Sequence, residues 1–167
     1  MYVVRFPERD MSHSILVAID GSRHAAAAVS EAIAIASRDG ARLTLMHVLA
    51  APHAAFIAGP YMPPPLPAFT AAEAETLLDE LASTVPEGTP VHTIVREGSP
   101  ADEILKRAEG SQHDLIVIGS RGHGAAASML LGSVSRSVVH RSGVPVIVVH
   151  VEGERVRSEL HHPTRLP

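Results

Sequence analysis

The segment from Gly119 to Ser135 concentrates residues that can hold an anion. Gly119, Gly122, Gly124 and Gly132 punctuate it, and it ends in Ser133-Val134-Ser135. Glycine lets backbone approach a ligand closely and turn successive N–H groups toward one negative charge. A helix opening at Ser133 adds unpaired N–H donors and the positive end of its dipole. The local charge agrees: no Asp or Glu occurs from Leu115 to Val151, while Arg121, Arg136 and Arg141 lie there with His123, His140 and His150. Arg121 and His123 are within reach of a terminal phosphate, and His123 suits a solvated loop position equally well. The glycines alone would also serve a plain tight turn, so the charge pattern carries part of the inference. A Walker loop is excluded, since the single lysine, Lys106, lacks the Gly-Lys-Ser/Thr context. Gly122-His123-Gly124-Ala125-Ala126-Ala127 matches a dinucleotide fingerprint, but no acid follows until Glu152, well beyond the spacing that a ribose contact needs. A second candidate is Asp20, which follows an apolar run where an acid is costly unless it has a partner. It is either a ligand-side acid or a turn acid bonded to the Ser22 N–H.

These residues need a scaffold, and the apolar pattern supplies one. Ser14–Ile19 is a short continuous apolar run, as expected of a central parallel strand. Ser22 is placed to cap a helix over Arg23–Asp39, with Gly40 just past its end. Arg42–Leu49 reads as a second strand. Ala50–Ala68, with Pro63-Pro64-Pro65, reads as a loop. Thr70-Ala71-Ala72-Glu73 is a capping box opening a helix to about Thr84. Pro90–Arg96 alternates like an edge strand. Ser99-Pro100 opens a helix to about Glu109. Leu115–Ile118 is a central strand, Ser133–Arg141 a helix and Val144–Val149 a fifth strand. The tail from Glu152 is expected to be loose. Alternating strands and helices predict an α/β fold: an open five-stranded parallel sheet with helices on both faces. Ligands of such sheets sit outside the carboxyl ends of the strands, where both candidate loops lie.

Composition narrows the chemistry. The chain has 167 residues, enough for one domain, expected over residues 14–151 after a flexible extension of residues 1–13. Apolar residues make up 46% and aromatics 3%, and cysteine is absent. The core must therefore be aliphatic, and disulfides, thiolate metal sites and cysteine nucleophiles are excluded. A net charge of −4 argues against nucleic acid as a partner. No apolar run is long enough for a membrane helix and the start lacks a secretory pattern, so a cytoplasmic location is expected, with Met1 or Met11 as the start. His47 reads as a packed strand histidine, and the histidines show no ligand spacing for a protein-held metal.

At this point a family resemblance is evident. Gly119-x2-Gly122-x9-Gly132-Ser133 resembles the nucleotide motif of ATP-binding universal stress proteins. Val17-Ala18-Ile19-Asp20-Gly21-Ser22, His47-Val48 and Leu130–Ser135 followed by Val144–Val149 are similar to further family segments, over about Ser14–Val151. The resemblance implies a Rossmann-like fold of the adenine nucleotide alpha hydrolase kind. It implies that Gly119, Gly122, Gly132, Ser133, Val134 and Ser135, led in by Ile118, wrap the phosphates and ribose of ATP. It further implies that Asp20 lies at the nucleoside end and helps hold Mg²⁺ through the phosphates, that Val48 backbone reads the adenine edge, and that the base packs near Ala18.

Pro145 lacks an N–H, which places the fifth strand at a sheet edge. Val146, Ile147, Val148 and Val149 would make a sticky edge, resolved by two-fold pairing with a second copy or by the C-terminal tail. Family members commonly dimerise there, which the resemblance implies. The expectation is therefore a cytosolic homodimer that binds ATP and acts as a stress-response regulator rather than a dedicated enzyme. A slow ATPase or nucleotidyl-transferring enzyme, and a partner-binding dimer with AMP or an empty pocket, are the alternatives.

Overall fold

The computed structural model describes residues 14–50, 69–122, 131–152 and 155–163. The expectations for residues 1–13, for the proline-rich loop, for His123 and for Gly124 lie outside the described residues. Ten elements follow in chain order: β1 (Ser14–Ile19), α1 (Arg23–Asp39), β2 (Arg42–Ala50), α2 (Ala71–Ser83), β3 (Val91–Gly98), α3 (Pro100–Gly110), β4 (Leu115–Gly119), α4 (Ser133–Arg141), β5 (Val146–Glu152) and β6 (Arg155–His161). They form one sheet in the order β3-β2-β1-β4-β5-β6. Neighbours among the first five are parallel.

Local chemistry sets the helix starts. The Ser22 hydroxyl accepts from Ala25 N–H at 3.2 Å. At α2, Thr70 and Glu73 bond reciprocally as the sequence predicts. Period-two alternation then sorts the strands onto two aliphatic layers. Ile15, Val17 and Ile19 pack with Ala28, Val29 and Ala32 of α1 and Leu78 of α2. Leu16, Ala18, Ile116 and Ile118 pack with Ile104 and Leu105 of α3 and Val138 of α4. The run of alanines on α1 lets that helix lie close to the sheet, because an alanine face adds little thickness between backbone and strand.

The chain winds outward from β1 through β2 to β3, then returns to add β4 and β5 on the other side. The reversal falls between β1 and β4, the position where open sheets of this kind leave a crevice.

The C-terminal end corrects two expectations. Among the described residues the sheet has six strands, not five, and the tail after Glu152 is not loose over Arg155–His161, which pairs antiparallel with β5 from Val146↔His161 to Glu152↔Arg155. The segment reads as polar because its apolar residues, Val156 and Leu160, lie on one face of an alternating strand. The other face carries Arg157 and Glu159, and Ser158 separates the two apolar positions. Consequently β5 is not an edge. Val146, Val148 and Val149 are buried, and the edge expected to meet a second copy is filled by the chain's own β6. Pro145 does not oppose this, because β5 begins after it. Its carbonyl accepts from Ile116 N–H at 3.0 Å, and no donor is needed there.

Candidate functional site

A cavity of about 470 Å³ opens at the carboxyl ends of β1, β2 and β4. Its volume suits a small-molecule ligand. Its floor is aliphatic: Ala18, Met46, Val48 and Ile118 from the strands, faced by Pro100 and Ile104 of α3. No aromatic residue lines it among the described residues. The opposite end is backbone and cation, built from Gly119, Arg121, Gly122, Gly132, Ser133, Val134, Ser135 and Arg136, with Asp20 between the two ends. Of the residues that the sequence nominates for a nucleotide, all but His123, which lies outside the described residues, line one cavity.

The anion end is built from donors left over by the fold. Gly132 caps α4 without any side-chain hydrogen bond. The N–H groups of Ser133, Val134 and Ser135 thus have no acceptor within the helix, and they lie at the positive end of its dipole. The loop is pinned from below. Gly132 N–H donates to Ser120 O at 2.7 Å, and Ser135 Oγ donates to Gly119 O at 2.8 Å. The Ser135 hydroxyl is therefore a strut of the loop as well as a neighbour of the cavity. Arg121 Nε is buried with no hydrogen-bond acceptor among the described residues. The residue itself lines the cavity, where a guanidinium suits a phosphate. Arg141 does not join this set, because it pairs with Asp102 of α3 at 2.6 Å.

Two glycines earn their places by close approach. A Cβ on Gly119 would lie 2.7 Å from the backbone carbonyl carbon of His24, so β4 and the first turn of α1 touch only because it is absent. A Cβ on Gly122 would overlap Oδ2 of Asp20. The other oxygen, Oδ1, accepts from Ser22 N–H at 3.0 Å. Asp20 is thus both the turn acid and a cavity wall, and the two readings of it are compatible.

Behind this wall lie two buried histidines. His47 meets Phe69 edge-to-face at 5.0 Å between ring centres, the packed strand histidine that the sequence predicts. Burial holds its pKa below the ordinary histidine value, against the carbonyl of Ile19 and the charge of Asp20. His24 is lowered in the same way by burial and then by the Arg23 and Arg121 charges. Both rings stay neutral near pH 7, so the cation at the cavity comes from arginine.

Sequence reasoning named Arg136 only as part of the local charge and missed Met46, Pro100 and Ile104. Three had local signals. Met46 shares the face of Val48 by alternation. Pro100 and Ile104 are one helical turn apart, on the face that α3 buries. Arg136 follows Gly132 by one turn, and its signal was only the local lack of acids.

A family model, the universal stress protein family, matches residues 11–150. A universal stress protein of Thermus aquaticus is 36% identical over 140 residues, covering 83% of this chain and 99% of its own length. One from Mycolicibacterium smegmatis is 34% identical over 161 residues, covering 93% of this chain, which spans only 52% of that relative. Among solved structures, the universal stress protein UspA from Lactobacillus plantarum has a TM-score of 0.62 at 27% identity, covering 84% of this chain and 99% of its own. The same fold occurs in a universal stress protein in complex with cAMP (TM-score 0.62, 24% identity, covering 84% and 98%). It occurs also in one from Archaeoglobus fulgidus in complex with dAMP (TM-score 0.58, 22% identity, covering 81% and 96%). The matched span takes in the glycine loop, α4 and both walls of the cavity, and the chain belongs to the universal stress protein family.

Proposed function

We propose that the chain binds ATP in this cavity and acts as a nucleotide-dependent regulator in the cytoplasm. The observation that carries the reading is the meeting of the uncapped N-terminus of α4 with Arg121 and Arg136 at one end of the cavity, beside an aliphatic floor. The donors suit phosphates, and the floor suits the faces of a purine. In this reading the base lies near Ala18, Met46 and Ile118. Its edge is read by Val48 backbone, and the phosphates rest on Gly119, Gly122 and the N-terminus of α4. The cAMP and dAMP complexes of the structural neighbours support an adenine nucleotide as the ligand class. Two arginines at the anion end, Arg121 and Arg136, favour more than one phosphate. Mg²⁺ bound with the phosphates would neutralise their charge, and Asp20 is the residue placed to help hold it. No residue is assigned a catalytic role.

The test is direct. Protein purified without added nucleotide is denatured, and the supernatant is separated by chromatography. The expected result is ATP at about one molecule per chain. For emptied protein, ATP with Mg²⁺ at a hundredfold excess over Kd should add about 2.7 kcal/mol of stability, a rise of several degrees in Tm. AMP alone in the supernatant would overturn the triphosphate assignment. No nucleotide and no thermal response would overturn the whole reading.

A further inference from the structure

The helix starts of this sheet divide into two classes by charge. α2 and α3 offset the positive ends of their dipoles with acids in the first turn, Glu73 in one and Asp102 and Glu103 in the other. α1 and α4, which follow the two strands at the reversal, have no acid there. They carry arginine instead: Arg23 opens α1, and Arg136 stands one turn after Gly132 in α4. A cation in the first turn opposes the helix dipole and destabilises the helix. Nothing offsets this at Arg136. Arg38, Lys106 and Arg141 meet Asp39, Glu103 and Asp102. Arg136 has no such partner among the described residues, and the sequence from Leu115 to Val151 holds no acid that could supply one. Arg136 is exposed and lines the cavity. Helical side chains lean toward the N-terminus of their helix, so Arg136 reaches back over the turn that Gly132 and Ser133 begin. The anion end of the cavity therefore has two parts. Gly119 and Gly122 form the inner part, with Gly122 against Asp20. The exposed Ser133 and Arg136 form the outer part.

We propose that Arg136 is the specificity-determining residue that makes this cavity prefer a nucleoside triphosphate to a monophosphate. The inference rests on the nucleotide reading above and deepens it. A monophosphate needs only the inner part. With its base on Ala18 and Ile118, its one phosphate lies beside Gly119 and Gly122, and Arg136 is left without an anion. A triphosphate carries further negative charge outward past Ser133 to the guanidinium, whose planar fork takes two oxygens of one phosphate. Binding then removes the mismatch between Arg136 and the α4 dipole. That relief is available only to the longer ligand, so it enters the difference between the two affinities. The cation that is unfavourable in the free helix thus acts on the choice of ligand rather than on folding.

The test is calorimetry of the full chain, emptied of nucleotide, with ATP and with AMP, each in the presence of Mg²⁺. The wild type should bind ATP at least about tenfold more tightly than AMP. Arg136→Gln should weaken ATP about tenfold and AMP much less, so that the ratio of the two affinities collapses. Arg136→Lys keeps the charge without the fork and should fall between. Arg141→Gln, on the same helix, should leave the ratio unchanged, because Arg141 is held by Asp102. The free protein gives a second readout. Arg136→Glu should raise its Tm by about one to three degrees, since an acid then replaces a cation near the positive end of α4. The same variant should bind ATP more weakly than Arg136→Gln does. A purely structural role would instead lower Tm and both affinities together. An ATP-to-AMP ratio that stays at the wild-type value in Arg136→Gln overturns the proposal and leaves the cavity assignment intact. So does an equal loss of both affinities. A wild type that binds neither nucleotide overturns the cavity reading and this inference together, and the chromatography identifies that case independently.

Discussion

The turn after β1 and the loop after β4 leave adjacent parallel strands at the same end of the sheet, yet their polar groups are finished in opposite ways. In the first, the Asp20 Oδ1, the Ser22 N–H and the Ser22 hydroxyl all find partners within the chain. Asp20 Oδ1 accepts from Ser22 N–H, the Ser22 hydroxyl accepts from Ala25 N–H, and that hydroxyl also donates to Arg121 O at 3.3 Å. In the second, the helix that follows begins at a glycine with no side-chain cap, and Arg121 keeps a buried donor without an acceptor among the described residues. The first is a closed turn that serves as a wall. The second retains donors without a partner among the described residues. A candidate binding loop is thus recognisable by what it leaves unsatisfied, while its neighbour shows the same residue types used for structure.

The sharpest way to break this contrast is at Gly119, where the two regions touch. In Gly119→Ala the new methyl meets the backbone of His24 at 2.7 Å, and backbone cannot swing aside as a side chain can. The expected cost is roughly 2–3 kcal/mol, seen as a Tm several degrees lower, with nucleotide binding weakened as well. An unchanged Tm would mean that α1 does not bear on β4 as described.

Gly122→Glu separates binding from folding. Gly122 has no positive φ, so a side chain is allowed by its backbone. It would press on Asp20 and place a second carboxylate on the phosphate path. ATP affinity, measured by calorimetry, should fall about tenfold or more, equivalent to about 1.4 kcal/mol, while the thermal transition of the free protein stays close to wild type. Retained affinity would show that the phosphates lie elsewhere.

Ser22→Ala is the converse and the smallest effect. It removes the cap of α1, worth about 1 kcal/mol, and should lower Tm by a few degrees. Nucleotide affinity should change little, because Ser22 spends its hydroxyl on Ala25 and Arg121 O rather than on the cavity. A loss of affinity larger than the loss of stability would show that the closed turn reaches the ligand after all.

Much of this was legible in the chain itself. The continuous apolar runs at Ser14–Ile19 and Leu115–Ile118 specify central strands, because only a strand buried on both faces tolerates apolar residues at every position. Ser22, Thr70 and Pro100 mark helix starts by local chemistry alone. The acid-free stretch with Gly119, Gly122 and Gly132 marked the anion end, since glycine spacing and charge are local properties. Two things were not legible. The far wall of the cavity, Pro100 and Ile104, belongs to a helix that crosses the sheet before β4. Its apolar face reads as ordinary core until the crossover brings it over Ala18 and Met46. The fate of the β5 edge was left open between a second copy and the C-terminal tail. A strand as polar as Arg155–His161 has too little apolar surface to order itself, and it forms only when a neighbouring edge supplies hydrogen bonds in register. Sequence by itself determined the strands, the caps and the chemistry of the glycine loop, because those follow from a residue and its near neighbours. Which helix closes the cavity, and which edge of the sheet is left open, was decided by the tertiary structure, because both depend on what the fold sets side by side from distant parts of the chain.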